Sequence, residues 1–416
     1  MAKKRIVCFG VGRIYQTFLD LYDSSKAEIV ALSDNDVRKW TLPDFIEPSK
    51  INEVEYDFVI VTSMYYAEIK QQLCGYGIAQ ERILNFYDVY ANLVVQDNYC
   101  IFDILKGNVP VAVQYEKDIR SIKSIQEKNL FLSARNFVHT MCDKKIRSLE
   151  EVEFQVFSQF GEDGIIQWLI HHVDIGSRTF VEFGVEDYEE ANTRFLLMND
   201  NWSGLVMDGS KENIDHIKNA EWFWRYDLTA IDAFITKENI NGLITGAGFE
   251  GDIGILSTDL DGNDWWILNS ITCVSPRILI CEYNNIFGAE QKVTVPYDAA
   301  FVRTKKHYSN LYWGCSIAAF CGWAEENGYY YMGSNTAGNN AFFVRKDCIG
   351  AHMIPEKAQM FIESKYKESR DEKGNLTYLR GADRLKCIRF MELFEIESGC
   401  IDTIENIYGI CCMAEE

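Results

Sequence analysis

The sequence of 416 residues predicts an α/β protein with two doubly wound domains, a helical linker and a helical C-terminal region. In both halves of the chain, short apolar runs that end in glycine or in an acid alternate with amphipathic segments. This alternation is typical of parallel strands joined by helices. The length also exceeds what a single core usually organises. We place the predicted segments at residues 1–95, 96–154, 155–350 and 351–416.

The composition excludes several classes of protein. Hydrophobic residues make up 47% and charged residues 25%, which is a globular balance. The net charge of -21 repels nucleic-acid phosphates and anionic membranes, so we expect neither as a partner. No apolar run approaches the ~18 residues that a membrane span needs, and Ile6–Phe9 is too short for a signal peptide. The 13 cysteines form no CxxC pair, which favours reduced thiols and a cytoplasmic protein.

The first domain begins with the apolar run Ile6–Phe9, which enters a glycine turn at Gly10 and Gly12. A second apolar run ends at Asp34, where a dinucleotide-binding strand would carry its acid. Gly10, Gly12 and Asp34 therefore predict a cofactor or nucleotide site, although the usual third glycine is missing. The alternative is a tight strand–helix turn with a solvated Asp34. The segment resembles the small Rossmann-type domains that precede sugar-modifying enzymes in surface-glycan pathways.

Two segments that flank the second domain are predicted to be helical. The linker, residues 96–154, lacks strand-like alternation, and Ile119–Asn136 is rich in residues that favour helices. The C-terminal region, residues 351–416, is charged and is also predicted to be helical. Between them, Tyr329–Gly333 and Asn340–Arg345 predict an antiparallel pair of strands that closes the second sheet.

Two consecutive strands of the second domain predict a pocket for an adenosine-type ligand. The run Phe180–Gly184 ends in Glu182 and Gly184, and the next run ends in Asp208. A glycine there lets a ligand approach the backbone, and the acid accepts hydrogen bonds from ribose hydroxyls. The alternative is that Glu182 and Asp208 only cap helices.

An acidic cluster follows two later strands. Asp259 and Asp261 belong to the turn Asp-Leu-Asp-Gly-Asn-Asp, and Glu282 ends the strand that we expect beside it. Their side chains should meet at the carboxyl edge of the sheet and hold Mg²⁺ or Mn²⁺. One carboxylate could instead serve as a general base. The alternative is a turn in which Asp261 and Asp264 satisfy backbone amides.

The order of the motifs in this half of the chain resembles the FkbM-type methyltransferases. The motifs are the DxDGND turn, Trp265-Trp266, Pro276-Arg277, Glu282-Tyr283-Asn284, Pro296-Tyr297-Asp298 and Gly338–Arg345. The resemblance covers about residues 155–348. The usual turn of the family has Glu where this chain has Asp261, which indicates a different subgroup. Many members of the family act in polysaccharide and O-antigen pathways.

The resemblance implies a class I methyltransferase sheet and S-adenosylmethionine as cofactor, held by Glu182, Gly184 and Asp208. Asp227 lies where the family places a residue near adenine, and it is equally suited to cap a helix. The implied activity is O-methylation of a sugar or nucleotide-sugar acceptor. The predicted catalytic residues are Asp259, Asp261 and His307, with His307 in a local basic segment.

Two other functions compete with this prediction. Asp259-Leu-Asp261 is a DxD pattern, which in a glycosyltransferase holds a metal that neutralises a leaving diphosphate. The other alternative is a nucleotide- or sugar-binding protein that keeps the fold but has lost catalysis. The acidic loop after Gly184 favours this alternative. None of these three functions fixes the oligomeric state, and a homo-oligomer is compatible with each of them.

Overall fold

The computed structural model describes residues 3–21, 24, 27–63, 65–86, 126, 128–350, 361–365 and 367–410. The chain divides into two compact units, residues 1–128 and residues 129–416. The predicted domain end at residue 95 and residues 96–125 of the predicted linker lie outside the described residues. In the described ranges, no helix is both long and apolar enough to cross a membrane.

The first unit contains a five-stranded sheet in which every paired strand is parallel to its neighbour. Its strands are β1 (Lys4–Phe9), β2 (Ala27–Ser33), β3 (Phe45–Ile46), β4 (Phe58–Val61) and β5 (Ile83–Asn85), in the order β3-β2-β1-β4-β5. Its described helices are α1 (Arg13–Leu21) and α2 (Tyr66–Gly75). Strand β1 alternates between two apolar cores, with Val7 and Phe9 in one and Ile6 and Cys8 in the other. A strand that is buried on both faces is typical of a parallel sheet.

The second unit is built on a seven-stranded sheet of order β12-β13-β10-β9-β6-β7-β8. Its strands are β6 (Thr179–Phe183), β7 (Ser203–Asp208), β8 (Leu228–Asp232), β9 (Gly251–Thr258), β10 (Val274–Glu282), β12 (Tyr329–Ser334) and β13 (Asn340–Arg345). Strands β6 to β10 are parallel, whereas β13 is antiparallel to both β10 and β12. The predicted α/β class and the predicted antiparallel pair are therefore confirmed.

Helices cover both faces of this sheet. They are a helix α3 over residues 128–141, then α4 (Glu162–His172), α5 (Arg194–Asp200), α6 (Lys211–Asn219), α7 (Ile240–Gly246), α8 (Asp264–Ser270) and, after a single turn α9 (Arg303–Lys306) that buries no residue, α10 (Ile317–Glu326). Along β6, Phe180 packs into the core that contains α4, while Val181 and Phe183 pack into the core that contains α10. The sheet is thus buried on both sides, and its carboxyl edge is left as the place for a ligand.

The predicted helical C-terminal region is wrong for its described part. Besides the short helices α11 (Ala382–Cys387) and α12 (Ile404–Ile407), it contains strands β14 (Glu392–Glu395) and β15 (Cys400–Thr403). They form an antiparallel sheet with β11 (Val293–Thr294), in the order β11-β14-β15. Gly399, at φ +69°, makes the turn between β14 and β15. Leu393 is the single fully buried side chain of β14, and it anchors the hairpin in an apolar cluster. The segment was predicted to be helical because its high charge obscured the strand pattern around this residue.

Candidate functional site

A cavity of about 640 Å³ opens at the carboxyl edge of the seven-stranded sheet. Strands β6, β7, β9 and β10 all end at this edge, because they are parallel and adjacent. Six of the predicted site residues line it, namely Glu182, Gly184, Asp208, Asp259, Asp261 and Glu282. The volume lies in the range of pockets that enclose a small organic ligand.

Glu182 fixes the loop that forms one wall of the cavity. Its Oε1 accepts from the backbone N–H of Asn192 at 2.9 Å, and its Oε2 accepts from the N–H of Thr193 at 3.1 Å and from Thr193 Oγ1 at 2.5 Å. Burial raises the pKa of Glu182, and these hydrogen bonds oppose the shift. The carboxylate thus satisfies free N–H groups at the start of α5, which is the helix-capping alternative.

Gly184 is required by a close approach within the protein. Its φ is +75°, and a Cβ built there would lie 1.5 Å from the carbonyl oxygen of Asp259. We predicted this glycine from the approach of a ligand to the backbone. The atom that comes close is instead the carbonyl that follows β9, so the glycine brings the ends of β6 and β9 together.

Asp208 joins two loops at the rim of the cavity. Its Oδ1 accepts from Ser210 N at 2.8 Å and from Asn213 Nδ2 at 3.1 Å, and its Oδ2 accepts from Glu186 N at 2.9 Å. An ionised carboxylate has about four acceptor positions. Asp208 therefore retains capacity for a hydroxyl donor on its cavity side.

The structure does not bring Asp227 to the cavity. Asp227 precedes β8, and its carbonyl oxygen accepts from Gly204 N at 3.0 Å, at the amino edge of the sheet. The cavity lies at the opposite edge, beyond Asp232, where β8 ends. Phe234, two residues after that end, lines the cavity with 48% of its surface exposed. Only the direction and length of β8 could have identified Phe234.

Asp259, Asp261 and Glu282 each present one oxygen, and these oxygens all lie within 4.8 Å of one another. Burial and the neighbouring carboxylates raise the pKa of Asp259 well above its usual value. Burial and the charge of Asp261 raise the pKa of Glu282 to about 8. Glu282 Oε2 is buried and has no hydrogen-bond partner among the described residues. Such crowding of negative charge is relieved by a shared proton or by a cation, so the predicted oxygen-rich set fits Mg²⁺ or Mn²⁺.

The turn that carries this cluster is built by Asp264. Its Oδ1 accepts from Leu260 N at 2.7 Å and its Oδ2 accepts from Gly262 N at 3.0 Å. The turn-forming alternative therefore describes Asp264. It does not describe Asp261, which bonds Arg303 Nη1 through Oδ1 at 2.6 Å.

The structure does not bring His307 to the cavity. Its Nδ1 lies 2.7 Å from Ser309 Oγ, and burial lowers its pKa. The segment contributes Arg303 instead, since α9 is a single turn and His307 already has an extended backbone at φ -151°. The predicted catalytic role of His307 therefore has no support from its position.

The C-terminal region supplies cavity residues that we did not predict. Glu368 and Arg384 both line the cavity. Glu368 Oε1 accepts from Asn310 Nδ2 at 3.2 Å and from Arg370 Nε at 2.9 Å. No local pattern marks either residue, because each reaches the site through long-range packing.

In the first unit, Asp34 is engaged by its own loop. Its Oδ2 accepts from Val11 N at 2.8 Å and from Lys39 Nζ at 2.6 Å, and its Oδ1 accepts from Asp36 N at 2.9 Å. Burial acts against ionisation, but these donors lower the pKa of Asp34. Gly10, at φ +92°, makes the turn out of β1. These contacts favour a tight strand–helix turn at Gly10 and Gly12, but Asp34 is bonded within its loop and is not the solvated side chain of that alternative.

The proton held by the acidic cluster predicts a stability that falls as pH rises. An unfolded chain releases carboxyl protons near pH 4, whereas the folded cluster keeps one up to about pH 8. Between these values the folded state binds more protons, so raising the pH lowers the free energy of unfolding. We expect Glu282→Gln to flatten this dependence and to be more stable than the parent at pH 8.5.

Urea unfolding at pH 5.5, 7.0 and 8.5 in the presence of EDTA measures the effect. The exposed Glu290 provides the matched control as Glu290→Gln, which should keep the parent profile. Parallel profiles for the parent and Glu282→Gln would contradict the shared proton.

Comparisons with known proteins match parts of the chain. A family described as C2185-like, N-terminal, matches residues 2–84. No curated protein matches the chain. The methyltransferase FkbM from Methylobacillus flagellatus KT is 12% identical, with 67% of this chain and 79% of that chain covered and a TM-score of 0.20. Phosphoethanolamine N-methyltransferase 1 from Haemonchus contortus, solved with phosphoethanolamine and S-adenosylhomocysteine, is 10% identical, with 68% and 76% covered and a TM-score of 0.22. Likeness at these TM-scores decides neither fold nor function.

Proposed function

We propose that this chain is an S-adenosylmethionine-dependent methyltransferase that acts on a hydroxyl of a sugar or nucleotide-linked glycan intermediate. The observation that carries the proposal is the seven-stranded sheet, whose order and single antiparallel strand β13 resemble the class I methyltransferase sheet. The cavity lies at its carboxyl edge, where Glu182, Gly184 and Asp208 end the first two strands.

The end of the cavity near β7 and β8 fits an adenosine. Asp208 keeps acceptor capacity for a ribose hydroxyl. The half-exposed ring of Phe234 offers a flat apolar surface to a base. Glu182 and Gly184 keep the wall between these groups and the acidic cluster in a fixed position. S-adenosylmethionine bound here would supply its methyl group as a sulfonium.

The acidic cluster suits the acceptor. An attacking hydroxyl must lose a proton when its oxygen takes the methyl group, and an ionised Asp259 or Glu282 could receive that proton. Mg²⁺ or Mn²⁺ held by Asp259, Asp261 and Glu282 would make the acceptor hydroxyl more acidic. In either case these residues orient the oxygen, and such positioning supplies a large share of the rate in a displacement reaction.

The convergence of the same three carboxylates favours a second candidate, a metal-dependent glycosyltransferase. In that enzyme, the metal would neutralise a leaving diphosphate. The position of Asp208 and Phe234 suits an adenosine, and so the methyltransferase proposal is preferred.

Calorimetric titration of S-adenosylhomocysteine into the purified protein tests the cofactor. We expect binding in the micromolar range and a loss of at least about tenfold in Asp208→Ala, since a charged hydrogen bond contributes roughly 1.5–3 kcal/mol. The exposed Asp232 ends the neighbouring strand outside the cavity lining, so Asp232→Ala should bind as the parent does.

Because Asp208 also ties two loops, the unfolding midpoint of Asp208→Ala is measured alongside the titration. Absence of heat with S-adenosylhomocysteine, together with binding of a uridine diphosphate sugar in the presence of Mn²⁺, would overturn the proposal in favour of the glycosyltransferase.

A further inference from the structure

Arg384 is a cation of the cavity that lacks an anionic partner. It lies on α11 and lines the cavity. Its Nε–H is buried and donates to no acceptor in the described part of the chain, and the ion pairs of those residues do not include Arg384. Burial lowers its pKa, and the nearby charge of Arg303 lowers it further. A partly buried guanidinium without a counterion loses hydration that a bound anion could replace.

The neighbouring charges do not compensate Arg384. Asp261 bonds Arg303 at 2.6 Å. Glu368 bonds Arg370 at 2.9 Å and lies 3.8 Å from Arg303. Asp261 and Glu368 are therefore engaged by Arg303 and Arg370, and neither forms an ion pair with Arg384.

The fixed position of Arg303 makes this a defined site. Its guanidinium stacks 4.8 Å from the centre of the Trp313 ring, and its Nε donates to the carbonyl oxygen of Asn310 at 2.9 Å. Arg303 and Arg384 come from two different segments of the chain and both line the cavity, where the charge of Arg303 acts on Arg384 and Arg303 bonds Asp261 of the acidic cluster.

We infer that this end of the cavity binds a phosphoryl group of the acceptor, with Arg384 as the principal contact. The inference rests on the proposed function, because it places the anion on the molecule that receives the methyl group. A phosphoryl group offers more oxygens and more charge than a carboxylate, which suits two guanidinium groups that repel each other. The acceptor is then a sugar phosphate or a nucleotide-linked sugar, and its phosphoryl group stays unreacted.

The test compares small anions with the intact chain. Inorganic pyrophosphate and glucose 1-phosphate are titrated in EDTA, and glucuronate serves as the carboxylate probe. We expect the phosphate probes to bind and glucuronate to bind at least tenfold more weakly. Arg384→Gln should weaken the phosphate probes tenfold or more, and Arg384→Lys should recover part of the loss because it restores the charge without the planar fork.

Arg380 provides the matched control, since it is exposed, lies one helical turn earlier in sequence and carries the same charge. Arg380→Gln should change phosphate binding less than twofold. Titration of S-adenosylhomocysteine into Arg384→Gln reports folding and the cofactor end separately, and it should match the parent. If the parent protein binds S-adenosylhomocysteine but none of the phosphate probes, the inference is overturned and the proposed function is left intact.

Two other outcomes would also overturn it. One is equal binding of pyrophosphate to the parent and to Arg384→Gln. The other is binding that appears only with added Mn²⁺ and is unaffected by Arg384→Gln, which would assign the phosphoryl group to the acidic cluster.

Discussion

Alanine in place of Gly184 is expected to disrupt the cavity, because among the described glycines its added Cβ would meet the closest atom. Its Cβ would begin 1.5 Å from the carbonyl oxygen of Asp259, whereas real Cβ contacts are almost never shorter than 3.0 Å. The positive φ adds about 1–2 kcal/mol of backbone strain for an L-residue. The chain that follows β9 must therefore move away from β6, and Asp259 moves with it. We expect a lower unfolding midpoint and loss of S-adenosylhomocysteine binding.

Gly248→Ala separates the two contributions. Gly248 has a φ of +88° and no atom within 4 Å of an added Cβ, so alanine there meets backbone strain alone. Thermal unfolding of both variants, with and without S-adenosylhomocysteine, measures the difference. If Gly184→Ala were no more destabilised than Gly248→Ala and still bound the ligand, the close approach of β6 and β9 would not be needed.

The second large effect is expected at Asp259. Asp259→Asn removes one proton acceptor and one carboxylate oxygen ligand from the cluster while keeping the size of the side chain. Loss of a general base or of a metal ligand typically slows a reaction by about 10²–10⁴-fold. We expect methyl transfer from labelled S-adenosylmethionine, screened over nucleotide sugars and sugar phosphates, to fall by about 100-fold or more. Binding of S-adenosylhomocysteine should stay within about threefold of the parent.

Titration of Mn²⁺ into the same variant distinguishes the two roles of the cluster. If the carboxylates hold a cation, the parent binds Mn²⁺ and Asp259→Asn binds it at least about tenfold more weakly. Asp232→Asn, at the exposed end of β8, should behave as the parent in both assays. Unchanged methyl transfer in Asp259→Asn would remove the cluster from the proposed chemistry.

Much of the second sheet could be predicted because its signals are local. Apolar runs that end in an acid or a glycine mark β6, β7, β9 and β10. Parallel pairing then brings their ends to one edge, and so Asp208, Asp259 and Glu282 could be grouped without coordinates. Asp227 was assigned from the family resemblance alone, and it lies before β8, at the opposite edge of the sheet.

Other features depend on contacts between distant segments. The partner of Glu182 is the loop at Asn192 and Thr193, and the atom facing Gly184 belongs to Asp259. Neither distance follows from sequence spacing. The charged C-terminal segment likewise gained its strands through pairing with β11 and burial of Leu393, which outweighed its helical composition.

The sequence by itself determined the α/β class, the antiparallel pair at the end of the second sheet and the acids at its carboxyl edge. Residue periodicity and strand endings are properties of short segments, so they can be recognised from the sequence without knowledge of the fold. Only the tertiary structure decided that Arg303 rather than His307 faces the cavity, and that Arg384 and Glu368 join it from the C-terminal region. Such assignments depend on packing across many residues of chain, which no local pattern encodes.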